Sequence, residues 1–383
     1  MTTVELEPIR SRLAGLGREH TPADVAAALR AEGTVVTDAI LLRTLEVLRR
    51  DSVGAGILEP LLRLPGVTDV VVNGPAEVYV DVGGGLQRTE LAFTDEAEVR
   101  RLAQRLAASV GRRLDDASPY VDARLPDGTR VHAVLGTLAA PGTCLSLRIP
   151  ADRSFSLADC VASGSVSEAA ADLLIRIVES RSAFLISGGT GSGKTTLLAA
   201  LLGLVPATER IVIAEDSREL APRHPHVVRL EGRPANAEGV GTVTLTDLVR
   251  QALRMRPDRL VVGEVRGAEV CDLLAALNTG HEGGCGTLHA NAATQVPARL
   301  EALAALGGMD RSTLHAQLAA AVELVIHLVR DRTGPRRVAE IATLAQDPRT
   351  GLVVAEPALI FDRGGPPRRG PAAARLELLL ERS

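Results

Sequence analysis

The run Ala183–Leu198, AFLISGGTGSGKTTLL, constrains the fold more than any other stretch of this chain. An apolar segment of strand length, Ala183–Ser187, passes straight into a glycine-rich loop. A largely apolar run, TTLLAALLGLV, follows and reads as the start of a helix. Gly188–Thr195 fits G-x-x-x-x-G-K-[ST], the phosphate-binding P-loop, in the strand–loop–helix context that the motif requires. The glycines let the backbone curl until its N–H groups face one point, and the helix adds its positive N-terminal end. Lys194 is the one lysine in a chain with 43 basic residues, so every other basic position is arginine. A compact ammonium enters a ring of backbone N–H groups, where a planar forked guanidinium is too bulky.

A strand feeding a helix in this way is the first unit of a parallel sheet, and the chain continues in that pattern. RIVIAED (Arg210–Asp216) and DRLVVGEV (Asp258–Val265) read as buried strands, and GTLHAN (Gly286–Asn291) as a fourth. Thr244–Met255 reads as a helix capped by Thr246 or Thr244. Upstream, the signal is different. Asp69–Asn73, Glu77–Val82 and LQRTEL form a β-meander, Asp95–Val110 a helix capped by Thr94, and Ala123–Leu135 two strands around a Pro-Asp-Gly turn. Leu145–Ile149 adds a strand that Pro150 ends. Thr21-Pro22 opens one helix of a lead-in, and Asp38–Arg50 forms a second. The expected division is a helical lead-in (1–55), an α+β domain (56–150), a small polar linker (151–168), the P-loop domain (169–363) and a mobile Pro/Gly/Arg-rich tail (364–383). The tail's last segment, Arg375–Arg382, is expected as a short helix.

Composition excludes several classes. Apolar residues make up 46% of the chain, enough for two buried cores, while aromatics are only 2%. The net charge of −4 argues against a large basic surface for nucleic acid. Cys144, Cys160, Cys271 and Cys285 are scattered without a C-x-x-C pair, as expected of reduced core thiols in a cytosolic protein. No apolar stretch reaches membrane-spanning length, and the acidic N-terminus is not a signal peptide. A role at the membrane would then run through a partner.

The candidate chemistry lies at strand ends, where parallel sheets gather ligands. The P-loop residues Gly189, Thr190, Gly191, Ser192, Gly193, Lys194, Thr195 and Thr196 are expected to hold phosphates, with the Thr195 hydroxyl on Mg²⁺. Glu215-Asp216 end one strand. Glu264 ends another, where Gly263-Glu264 replaces the usual strand-end aspartate. Glu215 and Glu264 are both candidates to face a metal or the attacking water. His289 follows a further strand, with His281 nearby, and their spacing is wrong for a helical zinc pair. His20, His132, His224, His226, His315 and His327 read as background. Arg124, Arg130 and Arg148 near the end of the first domain, and Arg266 and Arg256 flanking the Glu264 strand, are candidate phosphate contacts.

Four signatures in this order, GGTGSGKTTLL, IVIAED, MRPDRLVVGEVRG and TGHEGGCGTLHANAATQVPARLE, resemble the type II/type IV secretion ATPase superfamily. The first domain's LEPLLRLPGVTDVVVNGPAEVYV and VDARLPDGTRVHAV resemble the CpaF/Tad branch, which powers tight-adherence pilus assembly. The resemblance spans roughly residues 55–345. It implies an α/β fold: a RecA-like P-loop NTPase core with a smaller N-terminal α+β domain and a short helical lead-in. It implies ATP and Mg²⁺, a hexamer, Glu215 and Asp216 in an acidic box, Glu264 as the catalytic carboxylate, Lys194 as a catalytic P-loop residue, and His289 in a histidine box. It also implies that Arg124, Arg130 and Arg148 reach the nucleotide. The implied partner is an inner-membrane platform protein, met at the cytoplasmic face, with no direct nucleic acid. No tetracysteine zinc module is present, and residues 1–50 and 364–383 fall outside the resemblance. Two rivals stay open: a DNA translocase, and a nucleotide-binding scaffold with little turnover.

Overall fold

The structure is a computed structural model. It describes residues 21–34, 36–42, 54–150, 154–235, 239–330, 336–362 and 365–381, with a few further positions before residue 46. The chain divides into two compact units, Met1–Ala151 and Asp152–Ser383.

In the first unit, α1 (Pro22–Ala31) starts where the sequence places it. The Thr21 side chain accepts from the Asp24 N–H, Asp24 answers to the Thr21 N–H, and proline occupies the first turn. Its buried face, Val25, Ala28 and Leu29, packs on Ile9 and Leu13. The second expected helix lies partly outside the described residues. Six antiparallel strands follow in the order β3-β2-β1-β6-β5-β4: β1 (Asp69–Asn73), β2 (Val78–Asp81), β3 (Gln87–Arg88), β4 (Tyr120–Arg124), β5 (Arg130–Val134) and β6 (Cys144–Arg148). Alternate residues, Val70, Val72, Val131, Ala133, Leu145 and Leu147, bury one face of this sheet. They pack with Val99, Leu102, Ala103 and Leu106 of α2 (Glu96–Ala108) in one core. The cap of α2 is Asp95, not Thr94. The Asp95 carboxylate accepts the Glu98 N–H at 2.8 Å, while the Thr94 N–H donates to the Glu98 carboxylate.

The second unit is built on a nine-stranded sheet ordered β15-β14-β13-β12-β7-β11-β10-β8-β9. The parallel block comprises β7 (Phe184–Gly188), β8 (Ile211–Glu215), β9 (Val227–Glu231), β10 (Arg259–Val262), β11 (Cys285–Leu288) and β12 (Leu324–Arg330). Beyond β12 the sheet turns antiparallel through β13 (Arg336–Gln346), β14 (Val353–Ile360) and β15 (Arg368–Arg369). Helices cover both faces. α3 (Leu157–Ala162), α4 (Glu168–Glu179), α5 (Lys194–Leu202) and α10 (Ala373–Leu380) share a core with Phe184, Ile186, Ile211 and Ile326. α6 (Leu245–Leu253), α7 (Glu269–Leu277), α8 (Val296–Leu306) and α9 (Arg311–Ala321) share the other with Leu185, Val212, Leu260 and Val325. The alternation of Leu185 and Ile186 between the two cores is the period-2 geometry of a strand covered on both sides.

Several expectations change. α6 is capped by Thr244, whose side chain accepts from the Asp247 N–H. β10 stops at Val262 and β11 at Leu288, so Glu264 and His289 both lie just past their strands. The stretch expected as a linker carries α3, closed by a Ser156/Asp159 capping box, with Leu157 and Cys160 buried. The tail carries regular structure: β15 pairs with Leu359 and Ile360, and α10 buries Leu376, Leu379 and Leu380.

Candidate functional site

The P-loop leaves the sheet centre, between the C-terminal ends of β12 and β11. Its shape depends on glycine at three positions. Gly188, Gly191 and Gly193 have φ of 154°, 69° and 95°. A Cβ on Gly188 would stand 2.5 Å from the Leu328 carbonyl oxygen and 2.6 Å from Ser192 Oγ, so no other residue fits. Gly193 is the N-cap of α5 and supplies no side-chain acceptor, which leaves the first N–H groups of that helix for a ligand. Gly189, Thr190 and Gly191 are exposed, Thr195 and Thr196 are half-buried, and Ser192 is buried with no hydrogen bond at its Oγ.

Lys194 is 7% exposed. Its ammonium donates to the carbonyls of Gly188 and Gly189 at 3.0 Å each, and both His289 ring nitrogens lie 3.4 and 3.5 Å away. Burial lowers the Lys194 pKa, and the charge of Glu264 works against that shift. His289 Nε2 stands 2.5 Å from Glu264 Oε1. No hydrogen bond of good geometry reaches that buried oxygen. The other Glu264 oxygen pairs with Arg266, whose pKa rises through that bond. Burial, then the neighbouring Lys194 charge, lower the pKa of His289. The fold therefore brings the P-loop lysine, the strand-end glutamate and the strand-end histidine into one chain of contacts, although 95 residues separate Lys194 from His289.

Glu215 is placed differently. It is 4% exposed, and its Oε1 accepts the N–H groups of Glu219 and Leu220 at 3.0 Å. Its Oε2 is buried with no hydrogen bond, and burial raises its pKa. The close approach of Glu215 requires Gly263, where a Cβ would stand 2.5 Å from Glu215 Cγ. Arg124, Arg130 and Arg148 belong to the first unit. They face one another across β4, β5 and β6, with Asp69 next in the same row.

Two groups escaped the sequence reading. His327, read as background, is 4% exposed and sits beneath the P-loop. Its Nδ1 lies 2.8 Å from Ser187 Oγ, it bonds the backbone of Asn291, and burial lowers its pKa. It thus ties the end of β7 to the segment that carries His289. On the same flank, Arg330 and Arg336 lie against the P-loop. Arg330 Nη1 is 3.2 Å from a Cβ position on Gly191, and Arg336 Cδ is 3.4 Å from one on Gly193. His315, also read as background, is structural: it accepts the Val353 N–H and pairs with Glu301.

The buried oxygens Glu215 Oε2 and Glu264 Oε1, which lack hydrogen bonds, fit the demand of a hydrated divalent cation for oxygen neighbours. Such an ion on a P-loop protein draws its remaining ligands from phosphates and the P-loop hydroxyl, here Thr195. Among the described residues no cluster of three or more His, Cys, Asp or Glu side chains forms a protein-only metal cage.

The family model described as Type II/IV secretion system protein matches residues 51–351. A protein of Mycobacterium tuberculosis (strain H37Rv) named "Putative conjugal transfer protein" is 57% identical over 352 residues, 90% of this chain and 99% of that one. The type IV secretion system protein PtlH of Bordetella pertussis is 33% identical over 314 residues, 74% of this chain and 92% of that one. Among solved structures, the pilus retraction motor PilT with bound ADP is similar with a TM-score of 0.53. It is 23% identical, over 75% of this chain and 80% of that one, a likeness of fold. The fold class is thus α/β, a RecA-like P-loop core with a smaller α+β unit before it.

Proposed function

The chain belongs to the type II/IV secretion system protein family, and from that premise we propose that it is a Mg-dependent ATPase that powers a secretion or pilus machine. The observation that carries this reading is the contact chain Lys194–His289–Glu264 at the mouth of the P-loop.

In this reading the P-loop amides and Lys194 hold the phosphates of ATP, together with Gly189, Thr190, Gly191, Ser192, Gly193, Thr195 and Thr196. Thr195, Glu215 and Glu264 would hold a divalent metal, which would offset charge on the transferred phosphoryl group. Glu264 accepts the proton of the attacking water, and Arg266 holds its carboxylate in place. His289, neutral at physiological pH through burial and Lys194, lies between nucleotide and carboxylate. There it reports phosphate occupancy to the segment it begins. Arg124, Arg130 and Arg148 are kept as candidate nucleotide contacts on the family likeness. We assign residues 56–150 as the N-terminal domain, 169–363 as the ATPase domain, and 1–55, 151–168 and 364–383 as lead-in, connecting segment and tail.

We further propose a hexamer on the cytoplasmic face of the inner membrane, coupled to a platform protein and acting in Tad-type pilus assembly. No helix among the described residues is long and apolar enough to cross a membrane, in keeping with a motor held there by its partner. The name of the mycobacterial relative favours one second reading, a motor for DNA transfer.

The test is ATP turnover of the purified protein against its concentration, with and without DNA, beside Lys194→Ala. Turnover that rises with assembly, ignores DNA and vanishes in the variant supports the secretion motor. Turnover that requires DNA favours the second reading. No turnover, with ATP still bound, leaves a scaffold and overturns both.

A further inference from the structure

We propose that Arg330 grips the nucleoside end of the bound nucleotide at its α-phosphate; this rests on the nucleotide reading of the P-loop and adds a residue to it. The argument begins with the sheet order. β7 delivers the P-loop, and its two neighbours are β11 and β12. Glu264, Arg266 and His289 all come from the β11–β10 flank. The phosphate undergoing transfer must face those groups. The rest of the nucleotide has then to leave toward the other flank, along the end of β12.

β12 pairs in parallel with β7 as far as Leu328↔Gly188. Its last residues run on beside the P-loop. Leu328 packs against Gly193, with Cδ2 3.9 Å from a Cβ position there. Arg330, two residues on and so on the same face, brings its Nη1 to 3.2 Å from the Cβ position of Gly191. Gly191 is exposed and has φ of 69°, so its missing side chain is what lets the guanidinium approach the loop tip. The side chain of Arg330 is exposed and makes no hydrogen bond or ion pair among the described residues.

The register supplies a second observation. Arg330 lies directly opposite Arg336 across the β12–β13 pair, and Arg336 Cδ rests near Gly193. The two arginines concentrate positive charge on this side of the loop. Both flank the glycines that shape an anion-binding loop. A guanidinium here presents a fork of donors to phosphate oxygens, which the ammonium of Lys194, committed to the loop carbonyls and the outer phosphates, does not reach.

Because ATP and ADP share the α-phosphate, the contact strengthens both alike and contributes binding rather than rate. The experiment measures the Kd of a fluorescent ADP analogue, and the KM and kcat for ATP, in wild type, Arg330→Ala and Arg330→Lys, with thermal unfolding as a fold control. The expected result for Arg330→Ala is that ADP Kd and ATP KM rise together, by about tenfold for one lost charge-assisted hydrogen bond, with kcat changed less than about twofold. Arg330→Lys recovers part of the loss. An unchanged ADP Kd overturns the proposal. A fall in kcat with Kd unchanged overturns it too, by placing Arg330 at the transferred phosphate. Wild-type protein that binds neither ADP nor ATP would instead remove the nucleotide reading on which the inference stands.

Discussion

The two flanks of the P-loop strand are built by different rules. On one side, β11, β10, β8 and β9 are all parallel, and the proposed chemistry comes from residues one to four positions past a strand end: Glu264 and Arg266 after β10, His289 after β11. On the other side, one parallel strand, β12, leads into an antiparallel extension. Its contribution comes from within and at the end of that strand: His327 beneath the loop and Arg330 at its rim. The difference teaches where each job is done. Strand-end loops can move a carboxylate or an imidazole against a reacting atom. A continuous strand paired on both sides can only hold. The first flank is therefore where rate should reside, and the second where affinity and rigidity should.

The sharpest way to break that division is Glu264→Gln. It keeps the size of the side chain and removes the proton acceptor. Turnover should fall by about 10²–10³-fold, with ADP affinity within a few-fold of wild type. A loss of ADP binding of similar size would mean that Glu264 holds nucleotide rather than acts on it. Next in size is a change on the outer edge of the second flank. Leu376→Ala, from a residue 2% exposed under α10, should lower stability by about 2–4 kcal/mol in denaturant unfolding and leave kcat per folded molecule unchanged. A change below about 1 kcal/mol would return α10 to the status of a loose tail. His327→Ala comes third. It strips the Ser187 hydroxyl and the Asn291 backbone of their shared partner. The expected cost is about 1–3 kcal/mol of stability, with turnover reduced by less than that of Glu264→Gln. A loss of rate as deep as that of Glu264→Gln, without a loss of stability, would put chemistry on the second flank and end the division.

The first flank was legible in the sequence because its signals are local. A glycine-rich loop between an apolar strand and an apolar helix, VVGE at a strand end and TLHAN after glycines each declare themselves within ten residues. Even there, the contact between Lys194 and His289 was not readable, since it spans 95 residues of chain and depends on β7 and β11 being neighbours. The second flank gave weaker signals. LVIHLVR is an apolar run that suits a buried helix or a strand equally. RRVAEIATLAQ is rich in alanine, which favours helix, and becomes strand β13 only because β12 and β14 pair with it on both sides. Arg330 could not be picked from 43 basic residues when arginine is the default cation. His327 looked like background because its neighbours in sequence are apolar, and its polar partners come from other strands and loops. The tail misled for a compositional reason: RGGPPRRG reads as disorder, and nothing local says that β14 offers an edge to pair with. In the first unit, Thr94 and Asp95 are both good caps, and only the geometry of the Glu98 N–H selects Asp95.

The smallest expected effect concerns pH, and it tests whether His289 belongs with the moving side. Its folded-state pKa lies below the ordinary 6.5, first through burial and then through the Lys194 charge. Between that lowered value and 6.5 the unfolded chain binds more protons at this position than the folded one. The contribution of His289 to stability is thus present at neutral pH and is lost as pH falls through this window. The same sign governs turnover. A protonated His289 sets a second cation beside Lys194 and tightens the hold on Glu264, drawing the carboxylate away from water. Turnover should therefore fall on the acid side with an apparent pKa below 6.5, and His289→Gln, which cannot titrate, should remove that limb. A kcat–pH profile of the two proteins decides it. If the limb stays in place in the variant, His289 is a fixed spacer between the P-loop and Glu264, and the first flank holds as rigidly as the second.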